Sequence, residues 1–102
     1  MEERERTAVL SAALNDLSRV LAECRDPQLI LSFLESLLTA HEASDIAGRW
    51  ELVQRLAQGE SQRQIAQHLG ISLCKITRGS KELKKSDSSF RRMLDLKRSL
   101  GS

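Results

Sequence analysis

The side chains most able to do chemistry in this chain are cations, and they crowd its second half. Residues 61–102 carry ten Lys and Arg against three Asp and Glu, a balance of +7. Residues 1–60 carry six against eleven, a balance of −5, so the net charge of +2 conceals a divided chain. Such a division is the electrostatic footprint of a surface for phosphate, the bland alternative being solvated helix faces. Other chemistry is poorly provided for. His41 and His68 fall at polar helical positions without catalytic partners, and Cys24 and Cys74 lack any metal-ligand or C-x-x-C spacing. No Ser/His/Asp, Cys/His or metal constellation emerges, so neither an enzyme nor a metal site is expected.

The cations need an element to aim them, and Ser61–Ser80, SQRQIAQHLGISLCKITRGS, supplies one. It reads as a helix-turn-helix. Ser61 and Gln64 form a capping box that opens the first helix. Ala66 is small enough for a close crossing, and Gly70 can take the positive φ of the tight turn. Ile65, Leu69, Ile71 and Ile76 form the apolar plug, and Ser72 caps the second helix, which runs to about Lys85. This geometry offers the second helix to the major groove of double-stranded DNA. With Ile76 inward, Leu73, Cys74, Lys75 and Thr77 are aimed toward base edges, Lys75 being the long polar donor among them. Gln62 and Arg63, at the start of the first helix, suit a phosphate, and Lys81, Lys84 and Lys85 extend the basic surface.

The remaining elements are helical too. Apolar residues from Val9 to Cys24 recur at helical spacing, which predicts a helix over roughly Glu3–Glu23. Asp26-Pro27 is a cap and a restart, followed by a short apolar helix containing Leu29, Ile30, Phe33, Leu34, Leu37 and Leu38. Thr39 and Glu42 have the spacing of a capping box for a third helix with Ile46, Ala47, Trp50, Val53 and Leu56 inward, ended by Gly59. Ser86-Asp87 caps a last helix bearing Phe90, Met93, Leu94 and Leu100 on its apolar face. The expectation is therefore one all-α domain over residues 1–102, built of six helices. It comprises a helical dimerisation core over 1–59, the helix-turn-helix over 61–85 and a C-terminal helix over 87–100. At 102 residues the aliphatic core is small, and the long first helix has little partner surface within the chain, which points to a homodimer. No signal peptide is evident and no apolar run approaches the ~20 residues needed to cross a bilayer. A cytoplasmic protein with free thiols and no membrane partner is the default expectation.

With Ile76-Thr77-Arg78-Gly79-Ser80 the chain resembles the tryptophan repressor family. A glycine inside a helix after a basic residue is costly, which makes this the most specific part of the likeness. The resemblance extends back through Gly59–Arg63, Ala47-Gly48-Arg49 and Leu37-Leu38-Thr39, and covers about Leu37 to Leu83. It implies an intertwined homodimer, and a transcriptional repressor whose DNA-reading heads are positioned by L-tryptophan as co-repressor, with no other cofactor. Helix-turn-helix docking in the major groove is itself a property of Trp repressors, so here it is what the resemblance implies. Residue by residue, Arg49 and Arg78 match two arginines that sandwich the indole by cation–π stacking. Thr39 matches a threonine whose hydroxyl helps hold the ligand, and Leu38 a position whose carbonyl, from the partner subunit, meets the ligand ammonium. Gly79 keeps the indole slot clear, while Arg63, Lys75 and Thr77 fall on or beside operator contacts.

The chain also departs from the family pattern. Glu82 replaces a serine that touches the ligand amino group; its carboxylate either pairs more strongly with an ammonium or points to solvent. Ser36 replaces a leucine, Lys75 stands where threonine is common, and Gly59-Glu60-Ser61 is one residue short. Taken alone, Arg49 and Arg78 also read as surface arginines paired with a nearby Glu. Two further functions are consistent with the residues: a DNA-binding relative independent of tryptophan, and a helical interaction module offering its basic face to an acidic partner.

Overall fold

The computed structural model describes residues 1–101. The described residues contain six helices and no strand, and they divide into two units, Met1–Thr39 and the remainder from Ala40.

The first unit holds α1 (Glu3–Glu23) and α2 (Pro27–Leu37), over the spans the periodicity predicts. Glu3 and Glu5 place negative charge in the first turn of α1, where the helix dipole favours it. Asp26 Oδ1 accepts from the Gln28 and Leu29 amides at 3.1 and 3.4 Å, and Pro27 occupies the first turn of α2, where no N–H is needed. Neither helix has a buried residue. Leu17, Leu21, Ile30 and Leu34 are half-buried, whereas Val9, Leu10, Leu14, Val20, Leu29 and Leu31 are exposed.

The second unit holds α3 (Ala40–Ala57), α4 (Gln62–Leu69), α5 (Leu73–Lys84) and α6 (Ser89–Ser99). Its core is Leu52, Val53, Ile65, Ile76, Leu83 and Leu94, with Trp50, Leu56, Ala66, Leu69, Ile71 and Phe90 packed around it. Burying each of the larger aliphatic side chains contributes about 1.5–3 kcal/mol. α5 is the central element, packed against α3, α4 and α6. The Ser61 capping box is present in both directions, Gly70 adopts φ +64°, and Ser72 Oγ accepts from the Lys75 amide at 3.4 Å.

Three details differ from the sequence expectation. The buried stripe of α3 contains Leu52 and Val53, whereas Ile46 and Ala47 are exposed. Ile46 stands on the same face as Val53, two turns earlier, yet it is exposed, so the packing of this unit covers only the later part of that face; Ala47 lies off it. α6 is capped by Ser88, whose Oγ accepts from the Arg91 amide at 3.1 Å, not by Ser86-Asp87. Those two residues form the middle of a turn closed by the Ser88 N–H donating to the Lys85 carbonyl at 3.2 Å. Met93 and Leu100, expected on the apolar face of α6, are exposed.

The connector from α3 to α4 is tied by charge. His68 Nδ1 lies 2.5 Å from Glu60 Oε1, and Arg55 contacts Glu60 at 3.4 Å and Glu51 at 3.0 Å. The Glu51 hydrogen bond above all raises the Arg55 pKa; desolvation opposes it, and the Glu60 charge adds to the rise. This network spans the Gly59-Glu60-Ser61 connection.

Candidate ligand cavity and nucleic-acid face

Between α3, α5 and α6 lies a cavity of about 250 Å³. Its apolar floor is Val53, Gly79 and Phe90; its rim is Arg49, Lys75, Arg78 and Glu82. α3 places Arg49 one turn before Val53, and α5 places Lys75, Arg78, Gly79 and Glu82 along one side at spacings of three and four, so that they form a wall. Arg49 and Arg78 are both exposed, and neither has an ion pair among the described residues. The bland reading of each as an arginine paired with a Glu is therefore not what the structure contains. Glu82, in contrast, is held by Lys85, with Nζ 2.9 Å from Oε2.

Gly79 is buried, and a β-carbon there would stand 2.5 Å from Leu52 Cδ1 and 3.7 Å from Val53 Cγ2. Besides leaving the cavity open, the missing side chain lets α5 approach α3. A second cavity of about 340 Å³ lies between the first half of α3 and the Gly70–Ser72 turn, and Arg49 and Lys75 border both cavities. Arg49, Arg78, Gly79 and Glu82 are thus brought together. Leu38, the C-cap of α2, and Thr39 belong to the first unit. Val53, Phe90 and Lys75 were not expected at this site. Val53 and Phe90 read simply as core residues, and no periodicity distinguishes a core residue from one that floors a cavity.

The residues expected to face nucleic acid lie on α4 and α5. Arg63, Leu73, Cys74, Lys75, Thr77 and Lys84 are exposed and Gln62 is half-buried. Thr77 Oγ1 donates to Gln62 Oε1 at 3.3 Å, which joins the start of α4 to α5. Lys75 is turned toward α3, its Nζ 3.9 Å from Asp45 Oδ1.

A sequence profile described as Trp repressor protein matches residues 12–98. The chain belongs to the Trp repressor family. Proteins named Trp operon repressor homolog are similar to it. The one from Vibrio vulnificus strain YJ016 is 40% identical over 83 residues, covering 79% of this chain and 78% of its own. The one from Chlamydia caviae is 36% identical over 80 residues, covering 78% and 79%. The one from Chlamydia trachomatis serovar L2 is 42% identical over 67 residues, covering 61% and 71%. No solved structure matches the chain significantly. The Trp repressor family is one of transcriptional repressors and not of enzymes. Among the described residues no group of three or more His, Cys, Asp or Glu side chains could hold a metal, and no helix is long and apolar enough to cross a membrane.

Proposed function

We propose that this chain is a DNA-binding transcriptional repressor, active as a homodimer, that takes L-tryptophan as co-repressor in the cavity between α3 and α5. The observation that carries the reading is the pair Arg49 and Arg78, both without an anionic partner among the described residues, on the rim of one apolar-floored cavity. Two guanidinium planes on such a rim suit an indole by cation–π stacking and a carboxylate by charge-assisted hydrogen bonds. Glu82 is the acid on the rim, and it would meet a ligand ammonium by exchanging its Lys85 partner. The roles of Leu38 and Thr39 rest on the family likeness alone. Gln62, Arg63, Leu73, Cys74, Lys75, Thr77 and Lys84 form the DNA face, with phosphate contacts fixing register and the start of α5 entering the major groove. Ligand favours repression only through a higher affinity for the DNA-competent arrangement of that face.

Isothermal titration with L-tryptophan, followed by selection of duplexes from a random pool with and without it, tests this. Binding, and a ligand-dependent palindrome with half-sites about 34–36 Å apart, are expected. No heat at millimolar ligand would remove the co-repressor. Arg78→Ala should abolish the ligand dependence of DNA binding; retained dependence would remove Arg78 from the slot.

One observation favours a second reading, a DNA-binding regulator independent of tryptophan: Glu82 is already paired with Lys85 at the cavity rim. Gel shifts of equal strength with and without tryptophan would select it.

A further inference from the structure

Lys75 occupies the third position of α5, and its neighbours Leu73 and Cys74 are exposed. It is the cation in the first turn of the helix that the DNA-binding reading sends into the groove. Its side chain is nevertheless turned the other way. It borders both cavities flanking α3, and its Nζ lies 3.9 Å from Asp45 Oδ1. Asp45 is itself oriented, its other oxygen lying 3.5 Å from His41 Nε2 one turn earlier on α3. The Asp45 and Lys75 side chains are 37% and 56% exposed, so the pair is weak and water competes for it. A DNA phosphate can compete for it as well.

We propose that Asp45 is a positioning residue that withholds Lys75 from DNA phosphate, and so limits the number of ionic contacts made by the start of α5. This rests on the DNA-binding reading above and holds whether or not tryptophan is the effector. While Lys75 stays with Asp45 it makes no phosphate contact and releases no counterion from the DNA. Without Asp45 the lysine is available to the phosphate at once, and its contact releases one more counterion from the DNA. The effect is independent of base sequence, because phosphate carries no sequence information.

The test uses the full chain and a fluorescently labelled mixed-sequence duplex, titrated across a range of salt concentrations. Asp45→Asn is expected to raise affinity three- to tenfold at low salt and to steepen the dependence of log K on log salt by about 0.9, the increment for one added phosphate contact. Asp45→Glu, which keeps the carboxylate, is expected to retain the wild-type slope. Introduced on top of Lys75→Met, Asp45→Asn is expected to change affinity by less than about twofold, because the two residues act as one unit. A full Asp45→Asn gain in the Lys75→Met background would overturn the proposal, since the acid would then act by general repulsion. An unchanged affinity and slope for Asp45→Asn alone would also overturn it. Failure of the wild-type chain to bind the duplex at any salt concentration would instead overturn the DNA-binding reading, and this inference with it.

Discussion

A β-carbon at Gly79 would meet Leu52 Cδ1 at 2.5 Å, and Leu52, almost wholly buried, has little room to turn aside. Two effects oppose each other in Gly79→Ala. Alanine favours the helix by about 1 kcal/mol, and overpacking a tight contact costs about 1–3 kcal/mol. We expect the contact to win, with a net loss of ~1 kcal/mol seen as a lower urea midpoint at unchanged m; an equal or higher midpoint would mean that Leu52 moves aside freely. The unusual glycine in ITRGS was legible in the sequence, but only as a slot kept clear. That it also admits α5 against α3 depends on Leu52, twenty-seven positions away. Gly70 is the simpler case: its φ of +64° is a local demand with nothing near its missing side chain. Gly70→Ala should lower stability by about 1 kcal/mol through backbone strain alone, and Gly70→Asn by less, on the same urea assay.

Among the elements, the helix starts were the most readable because a cap is decided within four residues. Ser61, Ser72 and Asp26 all accept the backbone amides expected of them. The start of α6 was misplaced because three polar residues in succession, Ser86, Asp87 and Ser88, can each cap. The turn closed by the Ser88 N–H selects the last. Ser88→Ala should therefore cost about 1 kcal/mol, while Asp87→Ala stays within about 0.5 kcal/mol. The reverse order in thermal or urea unfolding would restore Asp87 as the cap. The phase of α3 was less readable. Apolar residues occupy more than one face of that helix, and the neighbours it meets, not its own periodicity, choose Leu52 over Ile46 as the buried residue.

At the scale of the molecule, α1 and α2 carry exposed apolar side chains along their length, Leu14 and Val20 being more than half exposed. Runs of this kind are unusual on a monomer and support the homodimer we propose. Sedimentation equilibrium at micromolar concentration should give about twice the 11.5 kDa chain mass, and Leu14→Glu should shift it toward the monomer. A wild-type mass of 11.5 kDa would remove the homodimer. From its sequence alone the chain determined the six helices of its described residues, most of their caps, its charge division and its kinship. Each is written in neighbouring residues or in a motif, where i to i+4 geometry and turn chemistry suffice. That Arg49 and Arg78 share one slot was already implied by the family likeness; only the tertiary structure decided that Val53 and Phe90 floor the cavity they border, and that Lys75 turns back to Asp45. Those relations join residues on different helices, and their geometry depends on how closely α5 packs on α3, which no local pattern encodes.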